Sequence, residues 1–312
     1  MKPEILQICP MSPRIEAAFD AAYVVHRYWD APDRAGLLAA HGPAIRGVAT
    51  DGHYGIAPEI MAALPALEIV ASYGVGYDAI DIAACKARGV HVSNTPDVLN
   101  DAVAEMAIGL MHALVRRIPQ ADAFVREGKW LDGTFGLTGE LTGAHVGILG
   151  LGRIGKEIAR RLQVSKMRVS YHGRHEQAFE PYVYYPDLVA MARDVDWLVA
   201  IAPGNAATRG IVSREVLTAL GPRGNFVNVG RGSLVDEPAM VELLVSGGLG
   251  GAGLDVFADE PRVPEALLGL PNVVLSPHQG SATEKTRTAM GDLVVQNLAA
   301  HFAGDPLLTP VV

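Results

Sequence analysis

Residues 145–162 read HVGILGLGRIGKEIARRL. The apolar run Val146–Leu149 has strand character and leads directly into Gly150-Leu151-Gly152-Arg153-Ile154-Gly155, which opens the helical KEIARRL. Each glycine has a mechanical task in this order. Gly150 makes the tight turn, Gly152 lets backbone approach a pyrophosphate, and Gly155 lets helix and strand pack closely. The helix N-terminus then offers its amides to the phosphates. A G-x-G-x-x-G run alone is a weak signal; between a strand and a helix it predicts a dinucleotide site built on Gly150, Leu151, Gly152, Arg153, Ile154 and Gly155.

Outward from this stretch the alternation continues. MRVSYHGR, WLVAIAP, SREVLTAL, NFVNVGRG, EPAMVELLVSGG, GAGLDVF and NVVLSPH follow, and six strand-like runs with intervening helices predict a doubly wound parallel sheet. Upstream, EILQIC, YVVHRY, AIRGVAT, LEIVASYG and VHVS alternate with helical segments and end near Pro96, predicting a second parallel sheet wrapped by helices. From Asp97 a helical pattern runs unbroken to Pro119, and TEKTRTAMGDLVVQNLAAHFAG reads as one helix returning to the first domain. The expected architecture is α/β with two doubly wound domains: residues 1–96 plus 283–312, discontinuous, and residues 97–282.

Composition agrees with two domains. At 312 residues the chain is long for one core, and 49% hydrophobic with 19% charged residues excludes disorder. Twenty-six basic against 34 acidic residues give a net charge of −8, with the basic residues dispersed, so no nucleic-acid partner is expected. Cys9 and Cys85 stand outside any C-x-x-C pattern and are expected to be buried, reduced thiols. No apolar run approaches the ~18 residues of a membrane span, and the N-terminal apolar stretch is too short for a signal segment. A cytoplasmic protein without a membrane partner is expected. His172 and His175 lack a third ligand, so no metal is expected there.

Cofactor choice is read at the end of the next strand. Gly173 stands 18 residues beyond Gly155, and Gly173-Arg174-His175 offers no carboxylate at the position where NAD enzymes hold the ribose 2′-hydroxyl. A guanidinium at Arg174 can fork onto a 2′-phosphate, with His175 as a further donor, so NADP(H) is preferred. Glu176 keeps NAD(H) as the alternative.

Three polar residues fall at predicted strand ends, the edge where doubly wound sheets bind ligands. Arg231 in NVGRGSLVDE suits a carboxylate anchor, His278 in NVVLSPHQGS suits a general acid/base, and Glu260 in GLDVFADEP would orient the imidazole and favour its protonated form. Each taken singly also reads as an ordinary loop residue. Their order after the dinucleotide motif favours a proton donor beside a hydride source.

GILGLGRIG, NVGRGSLVDE, GAGLDVFADEP and LSPHQGSAT, with SYGVGYDAID and NTPDVLNDAVAEMAIGLM upstream, resemble the D-2-hydroxyacid dehydrogenase family. They are most similar to its NADPH-dependent glyoxylate/hydroxypyruvate and hydroxyphenylpyruvate reductases. The resemblance implies a flavodoxin-like substrate domain, a Rossmann domain, an interdomain cleft and a homodimer formed through the nucleotide domains. It carries the catalytic roles onto Arg231, Glu260 and His278, and implies 2-oxo acids or 2-hydroxy acids as substrates. Substrate binding maps onto Ser72, Val75 and Gly76 together with Arg231 and His278, where successive N–H groups form an anion nest. Cofactor contacts map onto Leu151–Ile154, Gly173–His175, Val229, Gly230, Arg231 and Asp255, the last at the nicotinamide carboxamide.

Apart from the resemblance, the 72–76 loop reads as a turn before a helix capped by Asp78. The chain departs from the family pattern at Gly173 and His175, where the plant hydroxyphenylpyruvate reductases have hydroxyl residues, and at Gln279 beside His278. His53 or Tyr54 is a candidate for the substrate side chain, and Trp130 is expected in the core. The rival readings are a nucleotide-sensing, corepressor-like binder and an NAD-dependent formate or phosphoglycerate dehydrogenase.

Overall fold

The computed structural model describes residues 2–312. Residues up to Leu99 together with Ala282–Val312 form one compact unit, and Asn100–Ser281 the other.

In the first unit, β1 (Glu4–Gln7), α1 (Pro13–Ala22), β2 (Val24–Arg27), α2 (Arg34–His41), β3 (Ile45–Asp51), α3 (Pro58–Ala62), β4 (Ile69–Tyr73), α4 (Ile82–Ala87) and β5 (His91–Ser93) alternate as expected. All strand pairs are parallel, in the order β2-β1-β3-β4-β5. Successive strand residues face opposite sides, so the sheet fills two cores. Leu6, Val48, Val70 and Val92 pack with Ile60, Leu64 and Cys85, whereas Ile5, Ala49, Ile69 and Ala71 pack with Ile15, Phe19, Val294 and Leu298. Helix α4 is capped by Asp81, whose carboxylate accepts from the Ala84 N–H at 2.9 Å. Asp78 therefore does not cap it: the chain makes another turn before the helix amides open. The thiols of Cys9 and Cys85 are buried and unpaired, and burial with the neighbouring Asp51 pushes Cys9 above its ordinary range.

The second unit begins with α5 (Asn100–Val115) and α6 (Ile118–Arg126). The helix expected to run unbroken from Asp97 to Pro119 is thus two helices. Asp97 and Arg117 both adopt positive φ, at 70° and 49°, which no helix accommodates, and Pro119 falls in the first turn of α6, where its missing N–H costs nothing. Strands β6 (His145–Leu149), β7 (Arg168–His172), β8 (Val183–Tyr185), β9 (Trp197–Ala200), β10 (Asn225–Asn228), β11 (Gly251–Leu254) and β12 (Val273–Leu275) follow, with α7 (Arg153–Val164), α8 (Leu188–Asp194), α9 (Arg214–Leu220), α10 (Glu237–Ser246) and α11 (Glu265–Leu268) between them. The sheet has seven strands in the order β12-β11-β10-β9-β6-β7-β8, all parallel. Strand β8 escapes the sequence reading because three residues between Pro181 and Pro186 are too short to show a period. Trp130, expected in the core, is 67% exposed. It sits in a 3-10 turn after α6, outside the layers that form the core.

The last helix, α12 (Glu284–Ala303), lies in the first unit against β4 and α1. The tail then returns along β5: Val311 N–H donates to Val92 O at 2.7 Å, and buried Asn297 holds Thr309 through both its amide atoms. Among the described residues, no helix is long and apolar enough to cross a membrane.

Candidate active site

Because every strand of the second sheet is parallel, its carboxyl ends open on one edge, and β6 lies at the point where the strand order reverses, between β7 and β9. The loops that leave this edge carry most of the residues expected from sequence: 150–155 after β6, 173–175 after β7, 229–231 after β10, 255–260 after β11 and 276–280 after β12.

The glycine-rich turn is built for close approach. At Gly150 φ is +102° and a Cβ would come 2.8 Å from the Ala202 nitrogen; at Gly155 it would come 2.2 Å from the Gly150 oxygen. Gly152 meets nothing within 4 Å of an added Cβ, and as N-cap of α7 it supplies no side-chain cap. No side chain caps the first turn of α7 from Gly152, and no acidic residue occupies that turn. Open space over an uncapped, unopposed helix N-terminus fits a pyrophosphate. Gln177, a residue that sequence reasoning missed, donates from its carboxamide to Leu151 O at 2.8 Å and ties this turn to the loop after β7. In that loop Tyr184 donates to Gly173 O, while Arg174, His175 and Glu176 are exposed.

Glu260 and His278 meet. The Glu260 carboxylate accepts from His278 Nδ1 through Oε2 at 2.7 Å and from the Phe257 N–H through Oε1 at 3.0 Å, so both its oxygens are oriented. An ionised carboxylate only accepts, which puts the proton on Nδ1 and leaves Nε2 as the ring atom that exchanges with a ligand. Arg231 reaches the same edge on a turn clipped by Asn228. The buried Asn228 amide donates to Arg231 O at 2.9 Å, and its oxygen accepts from Gly230 N–H at 3.1 Å. One Arg231 nitrogen donates to Gly230 O at 2.7 Å, and the side-chain stem crosses Gly204, where a Cβ would lie 3.0 Å from Cγ. Gly232 then runs against the 257–258 backbone: an added Cβ would come 1.9 Å from Phe257 O, so only glycine lets the Arg231 and Glu260 loops abut.

Asp255 is 1% exposed and braces the His278 loop at three points. Its carbonyl accepts from His278 N–H at 2.8 Å, and its two carboxylate oxygens accept from the Gln279 and Gly280 amides at 2.7 Å each. His278 itself has φ of +52°. Asp255 was singled out in the sequence only through the family resemblance, and as a cofactor contact. The brace left no trace there because its partners are backbone amides.

In the first unit, Ser72 is the buried penultimate residue of β4, and its hydroxyl has no hydrogen-bond partner among the described residues. The loop beyond it is fixed from behind: Asn94 donates to Val75 O at 2.9 Å, and Thr95 N–H donates to Gly74 O at 2.9 Å. Among the described residues neither the Val75 nor the Gly76 N–H donates to another group of the chain. The neighbouring loop packs tightly here, since a Cβ on Gly52 would come 2.4 Å from Gly76 O. His53 and Tyr54 stand exposed on it, with both backbone amides held by the Asp51 carboxylate.

The fold and this edge define an NAD(P)-binding oxidoreductase. The model of the D-isomer specific 2-hydroxyacid dehydrogenase NAD binding domain matches residues 108–280. Hydroxyphenylpyruvate reductase of Plectranthus scutellarioides is 49% identical over 308 residues, covering 99% of this chain and 98% of that one. Glyoxylate/hydroxypyruvate reductase A of Arabidopsis thaliana is 48% identical over the same share of each. The crystal structure of the NADPH-dependent glyoxylate/hydroxypyruvate reductase of Sinorhizobium meliloti, in complex with NADP and malonate, superposes with a TM-score of 0.93 at 44% identity, covering 100% of this chain and 97% of that one. The chain belongs to the D-2-hydroxyacid dehydrogenase family.

Proposed function

We propose that this protein reduces small 2-oxo acids to D-2-hydroxy acids with NADPH in preference to NADH, and that glyoxylate, hydroxypyruvate and phenylpyruvates are the substrates to test first. The reading rests above all on the 2.7 Å hydrogen bond from His278 Nδ1 to Glu260, on the sheet edge that also carries Arg231 and the glycine-rich turn. A reduced nicotinamide, when bound, supplies the hydride. The chain's own residues supply the rest. His278, held at Nδ1, delivers a proton from Nε2 to the substrate carbonyl oxygen. The Arg231 fork binds the carboxylate and carbonyl oxygens. In the other unit the Val75 and Gly76 amides, with Ser72 behind them, form an anion nest suited to a carboxylate.

In this reading Asn100–Ser281 is the dinucleotide-binding domain and the remainder binds substrate. Gly150–Gly155 hold the pyrophosphate, and Val229, Gly230 and Asp255 line the nicotinamide end. Preference for NADPH is supported by the exposed Arg174 and His175 beside Gly173, whose donors suit a 2′-phosphate, and by the lack of a carboxylate at the strand tip. A homodimer is supported by the apolar side chains exposed between α6 and β6, among them Leu131 and Leu137. The two buried, unpaired thiols support a cytoplasmic location.

The test is a kinetic panel of 2-oxo acids with each nucleotide. NADPH is expected to be consumed with at least one of the three substrates, at a kcat/KM about tenfold or more above that with NADH. Failure to oxidise either nucleotide with any of them would overturn the reading in favour of a nucleotide-sensing binder.

A further inference from the structure

A second cluster of chemically competent side chains lies in the five-stranded unit. Strands β1 and β2 pair in parallel with Glu4 opposite Val24 and Leu6 opposite His26, so Glu4 and His26 project from the same face of the sheet. Strand β2 is the edge of that sheet, and helix α2 ends over this corner at His41. Glu4 Oε2 lies 2.7 Å from His26 Nε2, and the His41 ring stacks on the His26 ring with centroids 4.3 Å apart and planes 28° apart. One donor atom from each of the three residues lies within 4.8 Å of the others.

We propose that Glu4, His26 and His41 form a binding site for a divalent transition cation of the zinc class. Two imidazole nitrogens and one carboxylate oxygen are the donor set such ions take, leaving a position for water, whereas magnesium and calcium require mostly oxygen. A simple His26–Glu4 ion pair accounts for two of the residues and not for the third. Two neighbouring imidazoles can both offer lone pairs to one cation. The carbonyl end of α2 adds negative potential where His41 sits in its last turn.

Coordination uses lone pairs in the ring plane, so the stack must open. His41 is exposed, so its side chain has room to turn. His26 is held more tightly, with its side chain 11% exposed. The cation takes the place of the hydrogen bond between His26 and Glu4. Once bound, it clips the edge strand and the end of α2 to β1. None of the three residues belongs to the reductase machinery proposed above, so this site stands or falls independently of that reading.

The experiment titrates Zn²⁺, and Co²⁺ as a spectroscopic probe, into the chelator-stripped full-length protein at about pH 7.5, read by calorimetry and visible absorption. One equivalent is expected with a Kd below about 10 μM. Its affinity should fall at least about tenfold in each of His26→Ala, His41→Ala and Glu4→Gln, with reductase activity unchanged. Zinc should raise the thermal midpoint of the wild-type protein and not that of His26→Ala. His41→Ala changes an exposed side chain and keeps the test decisive if His26→Ala folds poorly. A smaller loss of affinity in His41→Ala, or no such equivalent in the wild-type protein, would overturn the proposal; binding at other histidines appears as equivalents that all three variants retain.

Discussion

His278 adopts a left-handed backbone conformation, φ +52°, that costs a non-glycine residue about 1–2 kcal/mol, and the cost is offset by Asp255. Three hydrogen bonds from one buried residue fix the Cα–Cβ direction of His278, and Glu260 then fixes the ring. Asp255→Ala removes the acceptors of two amides, so a stability loss on the order of 2–4 kcal/mol is expected by denaturant titration. In the folded variant kcat should fall more than KM rises, because the imidazole is displaced while Arg231 keeps its own clip. Unchanged kcat would show that the loop holds its shape without this brace. His278, Glu260 and Arg231 were legible because their side-chain chemistry is visible in the letters. The supports Asp255, Asn228 and Gln177 were not legible as supports, since each acts on main-chain atoms that every residue shares.

Among the elements, strong periodic patterns survived and special backbone positions did not. The five strands of the first sheet and the strand-turn-helix of β6 and α7 fall where the apolar patterns put them. The break at Arg117 was invisible because a left-handed arginine has no sequence signature, and Pro119 marks the start of α6 and not the end of α5. Helix α12 shows what tertiary charge adds. Glu68 accepts two hydrogen bonds from Arg46 in β3 and lies 3.0 Å from His301 Nε2 in α12. Arg46 first, then His301, hold the Glu68 carboxyl below its ordinary range against the opposing effect of burial. A carboxylate depressed in the folded state contributes stability above its unfolded value and loses it as pH falls through the folded one. Glu68→Gln should therefore lower the urea midpoint at about pH 6, with the difference from the wild-type protein shrinking as pH falls below the ordinary glutamate value of about 4.3. A difference that persists at the acid end would mean that the carboxylate charge is not its source.

For the whole molecule, the α/β class with two parallel sheets followed from alternation of strand and helix, and the family from motifs spread along the chain. Surface apolarity was the least legible feature. Trp130, expected in the core, and Leu137 lie in a glycine-rich, charged segment and are 67% and 100% exposed. If they face a second copy, Trp130→Asp combined with Leu137→Asp should shift the mass found by light scattering from two chains to one. A wild-type protein that is a single chain at about 10 μM would remove the dimer from the reading.

The proton donor is the point on which the chemistry turns. His278→Ala should lower kcat for 2-oxo acid reduction by at least about 100-fold, while fluorescence titration finds the Kd for NADPH within a few-fold of the wild-type value. Retained turnover, or loss of NADPH binding in place of turnover, would show that this imidazole is not the acid.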